Sequence, residues 1–258
     1  MYKQIFIFGP PRSGTTIIAQ AINTHPSFRI FDEVGFMIPT HEGSVNFLKH
    51  RELLDHYTHM ADNGKSNTDN LDTVLSDFVG EGVIWGEKYP DYSMYFPYLR
   101  SLFPNALFIF ILRDPRRVAK SYLSYSNSEL RTNGDFWIKD SSEDAFKLLA
   151  EATEPLISHR DAISILKYES FVSDPLGTLN SIFEPVGFTY SADMMDKSNT
   201  PLESIFENHF FREDKILPWK SENLNQITKQ KDIELSEEVY ASDGWAKIEK
   251  LAKDLGYQ

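Results

Sequence analysis

The stretch Gly9-Pro10-Pro11-Arg12-Ser13-Gly14-Thr15-Thr16 lies between an apolar run and a segment of helical period. Between a strand and a helix, such a loop turns backbone N–H groups and a helix N-terminus toward an anion. Gly14 allows close approach, the hydroxyls of Thr15 and Thr16 add donors, and the planar fork of Arg12 suits a pair of phosphate or sulfate oxygens. Pro11, Arg12, Ser13, Gly14, Thr15 and Thr16 are therefore candidate anion-binding residues. A carboxylate pair, Asp32-Glu33, ends a second apolar run, and Lys88 follows a third in WGEKYPDY. Carboxylates at the carboxyl edge of a parallel strand project into the crevice where open α/β sheets bind ligands, a place suited to a general base. A further apolar run ends at Arg113, with Asp114 as a helix N-cap, Pro115 at the first helical position and Ser121 about two turns on.

The elements that must position these groups follow from periodicity. Strand-length apolar runs alternate with longer helical patterns, which implies βαβ units, an α/β fold and a mainly parallel central sheet flanked by helices. Strands are expected at Gln4 to Phe8, Phe28 to Asp32, Val83 to Glu87, Ala106 to Arg113 and Ala162 to Tyr168. Helices are expected at Thr15 to Asn23, Val45 to Ala61, Leu71 to Val79, Ser93 to Phe103, Arg116 to Tyr125, Ser142 to His159 and Pro175 to Phe183. An irregular region from Ser198 to Lys229 then precedes a last amphipathic helix from about Ser236 to Leu255. Without repeats, low-complexity tracts or a linker-like shift in composition, residues 1–258 read as one domain.

Composition narrows the function. With 26 Lys plus Arg against 38 Asp plus Glu, the net charge of −12 argues against a nucleic-acid or anionic-membrane binder, whose affinity comes from a basic face. At 41% hydrophobic and 14% aromatic, the 258 residues can bury a sizeable core. The absence of cysteine excludes disulfides, thiolate nucleophiles and cysteine-ligated metals. The first residues run straight into a strand, and no apolar run approaches the roughly 20 residues of a membrane helix, so the expectation is a cytoplasmic chain without membrane partners. His50, His56 and His59 share a helical stretch without a third ligand in register, so no metal is expected.

The loop at residues 9–16 has the spacing of a Walker A motif, but Thr15 stands where the lysine that reaches the β- and γ-phosphates would be. That disfavours an ATP or GTP hydrolase. With its flanks, FIFGPPRSGTTIIAQAI, it resembles instead the 5′-phosphosulfate loop of sulfotransferases that use 3′-phosphoadenosine-5′-phosphosulfate (PAPS), and NTHPSFRIFDE resembles their tyrosylprotein and heparan branches. FPNALFIFILRDPRRVAKSYLS is similar to that family's 3′-phosphate strand-loop-helix. ILKYESFVSDPLGTLNSIFEPVGF and FREDKILPWK resemble two later family stretches, in the family's order.

The resemblance implies a P-loop-like α/β fold and transfer of a sulfuryl group from PAPS to a hydroxyl or amine, releasing 3′-phosphoadenosine-5′-phosphate (PAP), with no metal required. Arg113 and Ser121 match the family's 3′-phosphate ligands; in isolation they would read as a surface arginine and an exposed helix serine. Tyr168 matches a tyrosine that contacts adenine, and Arg212 and Lys220 match the C-terminal basic loop, although Glu213-Asp214 replaces the family's Lys-Gly. Lys88 matches the lysine beside the transferring group, where it and Arg12 would stabilise charge. The cytosolic branch places its histidine base two residues beyond that lysine, a position held here by Pro90. Glu33 matches the catalytic glutamate of the tyrosylprotein branch and is the favoured base, Asp32 the alternative, and Glu87 is placed to orient Lys88. Tyr89 and Tyr92 are candidates to line an acceptor pocket, and residues 127–141, with Gly134, Phe136 and Trp137, are long enough for a lid. The acceptor, whether small molecule, carbohydrate or peptide tyrosine, is left open.

Overall fold

The computed structural model describes residues 2–33, 35, 72–73, 75–77, 79–125, 137–195 and 233–258. Among them, five strands form one parallel sheet: β1 (Gln4–Phe8), β2 (Phe28–Asp32), β3 (Ile84–Lys88), β4 (Leu107–Leu112) and β5 (Ser164–Lys167), in the order β2-β3-β1-β4-β5. The sequence of β1, QIFIF, is buried throughout, as a strand covered on both faces must be. Alternation divides it. Ile5 and Ile7 join a cluster with Ile18, Phe28, Phe171 and Phe183, whereas Phe6 and Phe8 pack on the opposite face with Trp85, Phe96 and Phe108.

The helices follow local signals. After β1, α1 (Thr15–Ile22) lies on the isoleucine face, and the side-chain amide of its C-cap, Asn23, pairs both backbone groups of Ile30 at 2.9 and 2.6 Å, joining helix end to β2. On the phenylalanine face, a 3₁₀ turn (Pro90–Ser93) and α2 (Phe96–Leu102) follow β3. From β4 the chain enters α3 (Pro115–Ser124), capped by Asp114, and then α4 (Ser142–Ser158), capped by Ser141. Beyond β5 come α5 (Tyr168–Ser173), α6 (Pro175–Phe183) and the short α7 (Ala192–Met195). Finally, α8 (Glu237–Tyr240) and α9 (Asp243–Asp254) pack against α3 and α4 through Trp245 and Ile248. Because the chain leaves β1 toward one face and β3 toward the other, a crevice opens at the carboxyl edge of the central strands.

Several expected boundaries shift for physical reasons. Val83 donates to the Gly80 carbonyl in a turn, so β3 begins at Ile84 and extends to Lys88, which pairs with Asp32 and Ile7. The expected helix from Ser93 to Phe103 divides because Pro97 starts a new helix at Phe96. Tyr168 opens α5 instead of ending β5, and Ala162 belongs to a 3₁₀ turn (Arg160–Ala162). The last helix is two, since Ser242 accepts from the Trp245 N–H at 3.2 Å and restarts it. Residues 72–73, 75–77 and 79 are helical, as expected within Leu71 to Val79. The expected helix from Val45 to Ala61, His50, His56 and His59 within it, and the stretch from Ser198 to Lys229 lie outside the described residues. Among the described residues, no helix is long and apolar enough to cross a membrane.

Candidate active site

The turn after β1 is held from several sides. Gly9, at φ 148°, lies where a Cβ would stand 2.5 Å from the Ile111 carbonyl oxygen, and the Ser13 N–H donates to the Pro10 carbonyl at 3.0 Å. Gly14 is the N-cap of α1, at φ 96°, and a Cβ there would overlap the Tyr168 ring. Among the described residues no side chain caps α1, and no acidic residue lies in its first turn, so its leading N–H groups and the positive end of its dipole suit an anion. Thr15 and Thr16 begin that helix. The Ser13 hydroxyl is buried and has no hydrogen-bond partner among the described residues, an orphan that a phosphate or sulfate oxygen would satisfy.

A second group closes on the loop from β4 and α3. Arg113 donates from Nη1 to the Arg12 carbonyl at 3.0 Å, its guanidinium lies 4.5 Å from the centre of the Tyr168 ring, and its buried Nε has no hydrogen-bond partner among the described residues. Burial depresses the Arg113 pKa, while Tyr168 and Glu169 act to raise it. Arg12, a non-glycine residue at φ 66°, sends its side chain to Ser121, with Nε 3.3 Å from Oγ. Its guanidinium stands 5.1 Å from the Trp137 ring and 5.9 Å from that of Tyr125. Arg12, Ser13, Gly14, Arg113, Ser121 and Tyr168 thus come together, with the Arg12 side chain on the Ser121 side of the group. Arg212 and Lys220 lie outside the described residues.

The third group sits at the ends of β2 and β3. Lys88 is fully buried, and its Nζ lies 2.5 Å from both Asp32 Oδ1 and Glu33 Oε1. The Asp32 side chain is 3% exposed and that of Glu33 33%, so Glu33 is the member of the pair that faces water. Glu33 adopts φ 51° and donates its N–H to the Lys88 carbonyl at 2.8 Å, which turns its side chain back over the lysine. Burying an ammonium costs several kcal/mol, and the two carboxylates offset that cost. Glu87, also buried, accepts from the Tyr92 hydroxyl and from the Gly35 N–H. Burial raises the Tyr89 hydroxyl pKa, with help from Asp91, Glu33 and Glu87, so this phenol keeps its proton beside Glu33. Tyr92, a candidate for the acceptor pocket, is instead wholly buried core.

Sequence reasoning missed the aromatic flank of Arg12 and the groups behind Arg113. From the sequence Trp137 reads only as part of a lid, of which residues 127–136 lie outside the described residues. Glu169 accepts the Asp114 N–H at 3.0 Å; its signal was its place beside Tyr168 in the YE pair.

A family model described as the sulfotransferase family matches residues 4–192, well over half of the chain. Two nematode relatives, one from Caenorhabditis briggsae and the other Protein-tyrosine sulfotransferase A of Caenorhabditis elegans, are each 29% identical over 127 and 128 residues, or 46% of this chain. These matches take in 42% and 33% of the relatives, so the chain spans less than half the length of either. Among solved structures, the sulfotransferase domain from the curacin biosynthetic pathway aligns over 100% of this chain and 99% of its own, with a TM-score of 0.64 at 15% identity. The sulfotransferase domain of the Synechococcus PCC 7002 olefin synthase aligns over 99% and 94%, with a TM-score of 0.55 at 17% identity. At such identities the structures speak for the fold, and the matched family model settles membership: the chain belongs to the sulfotransferase family.

Proposed function

We propose that residues 1–258 act as one domain that moves a sulfuryl group from PAPS to a hydroxyl or amine acceptor and releases PAP. The observation that carries this reading is the meeting, around one loop, of two kinds of group. One is an arginine-lined socket with two donors, Ser13 Oγ and Arg113 Nε, that have no hydrogen-bond partner among the described residues; the other is a buried lysine held by two carboxylates at the adjoining strand ends. The socket fits a donor with two separated anionic groups: residues 11–16 would take the 5′-phosphosulfate, and Arg113, Ser121 and Arg12 the 3′-phosphate. Tyr168, in contact with both Gly14 and Arg113, lies between the two and would carry adenine on its ring.

PAPS supplies the activated sulfuryl group. Glu33 accepts the acceptor's proton while the acceptor oxygen or nitrogen forms its bond to sulfur. The bond from sulfur to the 5′-phosphate oxygen breaks, and its electron pair leaves with PAP. Lys88, drawn from its carboxylates toward that oxygen, offsets the charge that develops there, as do the N–H groups of the loop. The reaction needs no redox partner, and arginine, lysine and backbone donors suffice to cover the charge of one sulfuryl group. The name of the Caenorhabditis elegans relative adds weight to a peptide tyrosine as acceptor, beside small-molecule and carbohydrate hydroxyls.

Calorimetric titration in EDTA with PAP, and separately with ADP and ATP, tests the donor site. Tight binding of PAP alone is the expected result; ATP binding as tightly, or no binding at all, overturns the proposal. With radiolabelled PAPS and a simple phenol as acceptor, Glu33→Gln should lower turnover about 100-fold or more while sparing PAP affinity. Near-normal turnover would remove Glu33 as the base.

A further inference from the structure

Behind Arg113 lies a network of hydrogen bonds around the turn from β4 into α3. Asp114, the residue at which β4 turns into α3, donates its backbone N–H to Glu169 Oε1 at 3.0 Å. The other carboxylate oxygen, Oε2, accepts from the Tyr257 hydroxyl at 3.0 Å, and that hydroxyl also lies 3.3 Å from the carbonyl of Leu112, the last residue of β4. The Asp114 side chain is fixed separately, by the Arg116 N–H at 2.9 Å and by two guanidinium nitrogens of Arg116 at 2.8 to 3.2 Å. Arg116 in turn donates to the Gln258 carbonyl at 2.8 Å. The backbone on both sides of Arg113 is therefore tied to the segment after α9, which lies beyond the residues the family model matches.

We infer that Glu169 and Tyr257 are positioning residues of the 3′-phosphate socket: together they fix the turn from which the buried Arg113 presents its guanidinium. This rests on the donor-site reading above. Arg113 works at the end of a strand, where a small rotation of the turn swings the guanidinium out of line with Ser121, and a misaimed cation loses most of its advantage in binding a phosphate. The Glu169 carboxylate answers the turn with one oxygen and needs the Tyr257 hydroxyl to hold the other. Burial, and then the neighbouring Glu169 carboxylate, raise the Tyr257 pKa, so the phenol remains a donor. Nothing in the local sequence around Tyr257 marks it for this part, because its partners lie 145 and 88 residues away.

The test is Tyr257→Phe, which keeps the ring and removes one hydroxyl. PAP affinity should fall about tenfold, the size expected when a charge-assisted hydrogen bond is lost. The same substitution in an Arg113→Ala background should cost no further affinity, since its effect passes through Arg113. Lys250→Ala, an exposed change on α9, should leave affinity as it was. Hydrogen exchange of the Asp114 amide in the ligand-free chain gives a readout independent of nucleotide, and its protection should drop in Tyr257→Phe. A lower melting temperature with unchanged affinity and unchanged Asp114 protection would make Tyr257 merely structural and overturn the inference. If the unaltered chain binds no PAP, the donor-site reading falls; the amide exchange then decides the network by itself, and unchanged protection refutes it.

Discussion

Replacing Lys88 with methionine tests the strand-end cluster at its centre. Methionine is close to lysine in length and fills the same slot, so the packing change is small and the electrostatic change dominates. What remains is Asp32, 3% exposed, and Glu33, one-third exposed, both without the ammonium that lies 2.5 Å from each. Removing one partner of a buried ion pair costs about 3–5 kcal/mol because the other charge is left uncompensated. Glu33 can turn to water, and its share is within the ~0–1 kcal/mol of exposed pairs. The loss should therefore fall near the lower end, about 3–4 kcal/mol, most of it through Asp32. Adding Asp32→Asn to Lys88→Met should then recover about 2 kcal/mol, since an amide needs no counter-charge. Urea unfolding followed by tryptophan fluorescence reads the effect, with Trp85 buried in the same strand as Lys88. A cost below about 1 kcal/mol for Lys88→Met, or a double variant less stable than the single one, would refute this account of the cluster.

Gly14→Ala combines a left-handed backbone with overlap on the Tyr168 ring, and should destabilise by about 2–4 kcal/mol in urea unfolding. Gly80→Ala has a similar φ of 95° but nothing within 4 Å, so it should cost only about 1 kcal/mol; equal losses would show that the Tyr168 contact contributes nothing. His25 accepts from the Ser27 N–H at 3.1 Å and packs 4.9 Å from Phe28, and burial lowers its pKa from 6.5. The unfolded chain thus takes up this proton at higher pH than the folded one, so stability is full above about pH 6.5 and is lost as pH falls through the lowered value. Melting temperatures at pH 7.5 and 5.5 should converge more in His25→Gln than in the unaltered chain, and parallel drops would clear His25 of any part in the acid response.

The sheet was legible in the sequence because its strands are apolar runs with few competing signals; Gln4–Phe8 and Phe28–Asp32 fall where expected. The candidate site was legible in its one-dimensional parts. A glycine before a helix, a carboxylate pair after a strand and an arginine before Asp-Pro carry local meaning. What could not be read was how distant parts meet. Tyr168 looks like the end of a strand, yet it begins a helix because its ring is needed against Gly14 and Arg113. Lys88 reads as a lysine that follows a strand, and only the parallel register of β2 with β3, which sets Asp32 opposite Lys88, shows that it is buried. The direction of the Arg12 side chain is likewise absent from its local sequence; Ser121, Tyr125 and Trp137 set it, and their contacts span more than a hundred residues.

The placing of β1 at the middle of the sheet has a consequence for how the chain is made. Of these five strands, the one earliest in chain order has its hydrogen-bonding neighbours at 84–88 and 107–112, and parallel neighbours cannot pair until the intervening chain has crossed over. Gly9 packs on the Ile111 carbonyl and the Arg12 carbonyl is held by Arg113, so the loop at residues 9–16, though it follows β1 directly, is fixed only after β4 has left the ribosome. Until then QIFIF waits as an unpaired apolar segment, and no ligand of the finished site can assist the early stages of folding. The hazard of misassembly is concentrated in that interval, at the strand on which the finished site depends.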